Sequence, residues 1–474
     1  MSASPADSTT DLPLVERRLA DFQADVLGGL LELHGKFGPV AGLQDGALRV
    51  LFSFDPQYNK QMLSDVQTFN TRFFAIRGPK RSSQRRVTCG LLGMNGEQWK
   101  RNRRLVKEPF GLKQIATYRP TIERLADQVA ESWTDGQDVD MNQEMVRFML
   151  RVTSTILFGM SDSPEERQLA YDVGEQIAEW GKLNHELGIG ALVPDTTFSE
   201  GYEKLLAFSE GLEKQVMELI TRRRNATQNG AAVGNDVLSI LVNTHDEAGG
   251  LSDEELVGQS CVLFAAAHLT TAHSITWTLF LLAQHPSVRQ ALTAELSAAV
   301  GQPTPGRPDP NSLLERVIRE SMRMLPASSY SQRINTESID FGPFKDVPRG
   351  TPIVFSPFIT HRLESIYEQP KRFDPDRWLT IKPSLYEYLP LGAGPRMCIG
   401  GPLALEVVRT SLPRFLAGRK MRVQPGADVS AQIRSTMLHP INGVPMTLHT
   451  DDGDYQASQL KGNVAGELVD MTEA

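Results

Sequence analysis

Cysteine is scarce in this chain of 474 residues: only Cys89, Cys261 and Cys398 occur. An odd number of cysteines so far apart excludes a disulfide framework and points to a reducing compartment. Long apolar runs are missing too. The longest candidate, residues 257–283, is interrupted by Gln259, His268, Thr270, Thr271, His273 and Ser274. It reads as a buried core helix rather than a membrane span. The N-terminus has no basic segment followed by an apolar core, so neither a signal peptide nor a membrane anchor is expected. Positive charge is not in excess, since 49 Lys and Arg face 57 Asp and Glu for a net −8. That balance argues against nucleic acid as a partner of the whole molecule. With no internal repeat either, the absences leave a soluble, cytoplasmic globular protein.

The composition, 40% hydrophobic and 22% charged, supplies a sizeable core. Residues 1–12 read as disordered. Helical patterning occupies about 13–34, and strand-like runs follow at 39–43 and 47–54. Helical periodicity then dominates from about 57 to 300, with breaks near 77–90, 186–198 and 225–235. After 325 the texture turns to short β-like runs, among them 352–358, interrupted by one helix at about 401–417. Residues 451–474 hold few large apolar side chains and several acids, which predicts a loosely ordered acidic tail. The expectation is a mainly α fold with a smaller β portion, built as a single large domain over 13–450. Its longest helix starts at a capping box of Ser252 and Glu255 and is closed by Pro286. At ~1.5 Å per residue it runs about 50 Å, enough to cross the domain.

The most informative stretch is 389–409, where Cys398 sits in a turn rich in glycine and proline just before an apolar helical pattern. A thiolate there faces the positive end of a helix, which favours ionised sulfur. Gly394, Gly400 and Gly401 let backbone and sulfur approach a flat cofactor, with N–H groups aimed at the sulfur. Arg396 can pair with a carboxylate of that cofactor. A lone cysteine is more often a structural one, so distant pieces of the chain matter. Glu320 and Arg323 share a helix face, and Arg377 in Phe-Asp-Pro-Asp-Arg-Trp can close a buried ion-pair network with them. Trp99 and Arg103, four apart on one helix, present an indole N–H and a guanidinium together.

Taken in this order, these motifs resemble the cytochrome P-450 family of haem-thiolate monooxygenases over residues 20–450. The resemblance implies the cytochrome P-450 fold, with the long helix lying over the haem. It makes Cys398 the axial iron ligand of heme b (iron protoporphyrin IX). Trp99, Arg103, Arg333 and Arg396, joined by His361, would contact the propionates. Glu320, Arg323 and Arg377 would lock the region beneath the haem. In Ala266-Ala267-His268-Leu269-Thr270-Thr271 the catalytic hydroxyls would be Thr270 and Thr271. Electrons would come from a ferredoxin or flavodoxin with its reductase, and the substrate would be a lipophilic small molecule, hydroxylated or epoxidised. The chain departs from the pattern at Leu391, where the cysteine loop usually starts with phenylalanine, and at Leu269, where an acid usually precedes the threonine. The missing acid keeps open a peroxide-driven peroxygenase or an electron-independent isomerase. A non-catalytic haem sensor is disfavoured by the lack of an appended signalling domain.

The same resemblance places the substrate pocket among Phe69, Phe73, Phe74, Ile76, Leu91, Leu92, Val262, Ala266, Ala327, Met437 and Leu438. Ser328, Ser329 and Tyr330 would orient a polar group, and residues 185–200 would add a further wall. Lys100, Arg101, Arg104 and Lys107 form a basic cluster suited to an acidic electron carrier. The basic run Arg77, Lys80, Arg81, Arg85 and Arg86 stays unassigned between that role and an anionic substrate.

Overall fold

The structure, a computed structural model, describes residues 12–73, 76–159, 164–190, 200–230, 234–299 and 308–471. Its axis is the helix Asp253–Gln284. The expected capping box is present: Ser252 Oγ accepts from the Glu255 N–H at 3.2 Å, and Glu255 Oε2 accepts from the Ser252 N–H at 3.0 Å. Two otherwise unpaired donors are satisfied at that end. The helix has no polar face. From Leu256 to Gln284 its residues are buried on every side, except that burial lapses at Ala265, Ala266, Ala267, Leu269 and Thr270. A helix enclosed all round belongs to a core, and a lapse in mid-helix marks an internal cavity.

The helix Met141–Phe158 packs along it. Phe158 stacks on Phe264 with ring centroids 5.7 Å apart, and His268 Nε2 lies 3.0 Å from the Val146 carbonyl oxygen. The helices Pro164–Gly190 and Glu200–Gln228 pack on each other and on the central helix. The helix Gly401–Leu416, which follows the cysteine loop, packs on both the central helix and the helix Leu112–Ser132.

The β portion is smaller. Its main sheet has the strand order Leu14–Glu16, Val40–Asp45, Leu48–Ser53, Pro352–Phe355, Ser331–Asn335, Phe69–Asn70. Ile353 pairs in parallel with Leu51 and antiparallel with Arg333, so strands some 300 residues apart share one ladder. This sheet fixes Arg333, since alternate side chains of a strand face one side. Residues 14–16 were expected to be helical. They form an edge strand beside Gly42, Leu43 and Gln44, and the helices begin only at Leu19 and Val26.

The tail corrects the sequence reading. Among the described residues of 451–471, Val464, Leu468 and Val469 are fully buried. Val429 N–H donates to the Lys461 carbonyl at 2.9 Å, Lys461 N–H to Ala427 at 2.8 Å, and Asp470 N–H to Lys371 at 2.8 Å. The few apolar residues of the tail coincide with the exposed edge of residues 427–431, which overrides its polar composition. The disorder expected at the N-terminus falls on residues 1–11, outside the described residues.

Candidate functional site

A cavity of about 470 Å³ opens against the unburied middle of the central helix. Val262, Ala266, Thr270, Thr271 and Ser274 form one wall, and the cysteine loop from Leu389 to Gly400 forms another. The helix Gly96–Val106 brings Trp99 and Arg103 to it, and the strand Ser331–Asn335 brings Arg333. Distant pieces of sequence therefore meet at one place. His361 does not join them.

Cys398 is exposed to this cavity, not to bulk solvent. So much protein surrounds it that burial raises its thiol pKa. The Gly400 N–H, the positive Arg103 and the Gly401 N–H act against that rise. The loop is held by the Cys398 N–H donating to the Leu391 carbonyl at 2.9 Å. Gly394 has φ +70°, and a Cβ there would lie 2.2 Å from the Leu63 carbonyl oxygen, so only glycine fits. The unusual Leu391 lines the cavity and leans on Gly401, where an added Cβ would come within 3.1 Å of its Cδ1.

The arginines show what the cavity is built to hold. Arg103 Nη2 donates to the Met397 carbonyl at 2.7 Å, and its guanidinium lies 5.7 Å from the Trp99 ring centre. Arg396 stacks on the same ring at 4.3 Å and donates to Met94 O at 3.0 Å and Asn95 Oδ1 at 2.8 Å, while its buried Nε has no acceptor. Among the described residues Arg333 Nη1 donates only to the Gln332 carbonyl, at 2.9 Å, and burial beside Arg396 pushes its pKa down to about 10. Among the described residues no carboxylate pairs with any of the three, and none lines the cavity. Enclosed cations without a counter-charge are costly, so an anionic ligand is the missing complement. A flat group carrying two carboxylates and a metal that takes a thiolate fits this donor set. That is the description of haem.

On the opposite wall Thr270 Oγ1 donates to the Ala266 carbonyl at 2.7 Å and keeps its lone pairs toward the cavity. Thr271 is buried beside it and Leu269 lies off the wall. His268 faces the helix Met141–Phe158 instead, and burial lowers its pKa.

His361 corrects the expectation of a propionate contact. It is fully buried, and its Nε2 accepts the Leu389 N–H at 2.7 Å. Its Nδ1 must then carry the proton, donating to the Arg323 carbonyl at 3.1 Å. With both ring nitrogens used, none is left for a ligand. The residue ties the end of the helix Leu313–Met324 to the start of the cysteine loop. Beneath it lies the expected network. Glu320 Oε1 accepts from Arg323 Nη2 at 2.8 Å and Arg377 Nε at 2.9 Å, while Oε2 accepts from Arg323 Nε at 2.9 Å and Trp378 Nε1 at 3.0 Å. Charges this deeply buried persist because every oxygen and N–H is matched.

Of the expected pocket residues, Phe73, Leu91, Leu92, Val262, Ala266, Ala327, Ser328, Tyr330 and Met437 line the cavity. Phe69, Ile76 and Leu438 pack into the core, and Ser329 turns to the Pro326 carbonyl. Phe74 and residues 191–199 lie outside the described residues. The sequence reading missed Met149, Thr153 and Ile156 on the helix Met141–Phe158, and Trp180 and Asn184 on Pro164–Gly190. Polar Thr153 and Asn184 on otherwise apolar helix faces were the one available signal.

The cytochrome P450 family model matches residues 21–444. Cyclooctatin synthase of Streptomyces melanosporofaciens is 28% identical over 420 residues, covering 86% of this chain and 88% of that protein. Pentalenene oxygenase of Streptomyces avermitilis is 28% identical over 411 residues, covering 85% and 88%. The solved structure of retinoic acid-bound cyanobacterial CYP120A1 shares the fold, with a TM-score of 0.73 at 20% identity over 90% of this chain and 95% of that one. A thiol loop, three unpaired arginines and a threonine on a buried helix thus agree with the likeness along the whole chain, which belongs to the cytochrome P450 family and is a haem-thiolate monooxygenase.

Proposed function

We propose that Cys398 ligates the iron of heme b and that Arg103, Arg333 and Arg396, with Trp99 between two of them, hold its propionates. The observation that carries this is the meeting of one thiol and three carboxylate-free arginines on a single cavity. When bound, thiolate-ligated haem supplies the oxidising power to insert one atom of O2 into a C–H or C=C bond. The Gly400 and Gly401 N–H groups and Arg103 favour ionised sulfur against the cost of burial. Thr270 and Thr271 supply hydroxyls on the distal wall. With no carboxylate among the described residues lining the cavity, protons reach Thr270 through water.

The walls are largely apolar, which suits a lipophilic small molecule. Relatives support that reading by name: one is an oxygenase of pentalenene, and another, 28% identical over 402 residues, a monooxygenase of cyclooctat-9-en-7-ol. Hydroxylation or epoxidation of such a skeleton is the proposed reaction. Electrons would come from a ferredoxin or flavodoxin with its reductase, docking beside the helix Gly96–Val106. No helix of the described residues is long and apolar enough to cross a membrane, consistent with the proposed cytoplasmic location.

The test is spectroscopic. The reduced, CO-bound protein is expected to show the red-shifted Soret band of thiolate-ligated haem. Cys398→Ser should abolish that band, while Cys89→Ser and Cys261→Ser keep it. A band surviving in Cys398→Ser would refute the assignment.

A further inference from the structure

Several polar side chains on the cavity wall have protein partners. Trp180 Nε1 donates to Gln84 Oε1 at 2.9 Å and Gln332 Nε2 to the Arg72 carbonyl at 3.1 Å. Thr270 and Ser274 donate to carbonyls of their own helix at 2.7 and 2.9 Å. Thr153 Oγ1 lacks a partner, but a threonine in a helix can turn to the carbonyl four residues back. Gln23 Nε2 and Asn184 Nδ2 lack acceptors as well, and the Tyr330 hydroxyl makes no hydrogen bond among the described residues. Asn184 is 5% exposed. Tyr330 opens onto the cavity just before the strand Ser331–Asn335. The surrounding protein desolvates that phenol and pushes its pKa up to about 12, so it stays a neutral donor.

While the cavity holds water, water can satisfy the Tyr330 hydroxyl, whereas Asn184 Nδ2 is enclosed by protein and meets water or a ligand only when its side chain turns toward the cavity. A lipophilic molecule that expels the water leaves both groups bare unless it brings an oxygen of its own, and a bare buried donor is expensive. The two sides of that choice are unequal. A site built to hydrogen-bond an oxygen rejects the analogue lacking it far more strongly than an apolar site rejects an added hydroxyl. Both groups are neutral, so they suit an alcohol or carbonyl rather than a carboxylate. The unpaired cations of the cavity lie elsewhere, at Arg103, Arg333 and Arg396.

We propose that Asn184 and Tyr330 select substrates that already carry a neutral oxygen on a lipophilic skeleton, and that this enzyme adds a second oxygen at another carbon. This rests on reading the cavity as the substrate chamber of a haem-thiolate enzyme. The reaction that supplies the substrate is then one that has already installed an oxygen, such as a hydroxylation or a hydration.

The holoenzyme is titrated with three ligands of one skeleton, β-farnesene, farnesol and farnesal, while the ligand-induced shift of the Soret band is followed. Partition out of water alone favours the hydrocarbon, so tighter binding of the oxygenated pair requires a specific contact. Wild type is expected to bind farnesol and farnesal at least about tenfold tighter than β-farnesene. Tyr330→Phe, which deletes only a hydroxyl, and Asn184→Leu should each narrow that gap, and the double variant should close it to under about threefold. Affinity for β-farnesene should hold or improve in all three variants. Equal affinities in wild type, a gap unchanged in both single variants, or no binding of any ligand would overturn the proposal. Each sample's reduced CO spectrum is recorded alongside. Loss of the thiolate band in wild type would instead refute the haem-thiolate reading on which the proposal rests.

Discussion

Thr270 has one hydroxyl and two duties, and the geometry separates them. Its proton goes to the Ala266 carbonyl, while its lone pairs stay available to the cavity. A water donating to that oxygen can pass protons inward, a role Leu269 cannot fill. Thr270→Ala should therefore raise peroxide released per electron consumed and lower product yield, with haem content unchanged. His268→Ala should change coupling far less, since that ring faces Val146. Peroxide release and product measured per NADPH consumed test both, and intact coupling in Thr270→Ala would remove the hydroxyl from oxygen activation. Residue scale is also where the sequence reading was strongest for Cys398 and Glu320, because their chemistry needs fixed neighbours in a short motif. It was weakest for His361, whose partners, Leu389 N–H and the Arg323 carbonyl, are backbone groups that no side-chain pattern announces.

Among the elements, the helix Gly96–Val106 carries both the inner face of the site and an outer basic face. Not all of its charge is free. Lys100 pairs with Glu97 at 2.7 Å, and Arg101 binds Asp246 at 3.1 Å and the Gly249 and Gly250 carbonyls. Arg101 thus anchors the hairpin 245–250. Arg104 and Lys107 are exposed, and no ion pair among the described residues involves them. If an acidic carrier docks here, Arg104→Glu with Lys107→Glu should slow reduction by at least about tenfold at low salt, since reversing two surface charges in a steered encounter acts mainly on association. The difference should shrink as ionic strength rises past the point where screening reaches ~8 Å. Stopped-flow reduction across a salt series checks this, and salt-independent rates equal in both proteins would exclude the surface. Arg86, from the unassigned basic run, is likewise committed, to Glu213. Arg77 and Arg85 retain buried Nε atoms with no acceptor.

For the whole molecule, acid is the predicted weakness. His361 and His273 are both fully enclosed, and burial lowers each pKa to about 3. The unfolded histidines protonate near ~6.5. Between those values the unfolded chain binds more protons than the folded one, so stability rises with pH. The contribution is complete above about pH 6.5 and is lost as pH falls toward about 3. At pH 5 each histidine should withdraw roughly 2 kcal/mol. Glu320 adds to the loss lower down, because Arg323 and Arg377 hold its pKa below the usual carboxylate value against the cost of burial. Urea unfolding at pH 7.5 and pH 5, at matched haem occupancy, should show a clear fall in midpoint. His361→Gln should start less stable yet lose less over that interval. A midpoint independent of pH would contradict the burial of neutral histidines.

What the sequence determined by itself was whatever depends on neighbours along the chain. The capping box at Ser252 and Glu255, the glycine-lined turn at Cys398 and the i, i+3 pair Glu320–Arg323 are local. Each is fixed by backbone geometry over a few residues. The likeness to a known family joins those pieces into one expected site. Tertiary structure alone decided matters set by surfaces that meet from afar. The acidic tail is ordered because Val464, Leu468 and Val469 reach a core edge some 35 residues back. Arg333 is buried because a strand near residue 50 pairs in parallel with one near 353, and the latter pairs with the strand Ser331–Asn335. Asn184 and Tyr330 reach one cavity from a helix and from the start of an inner strand that share no sequence pattern. Burial and partnership are properties of packing, and packing is what a one-dimensional reading does not contain.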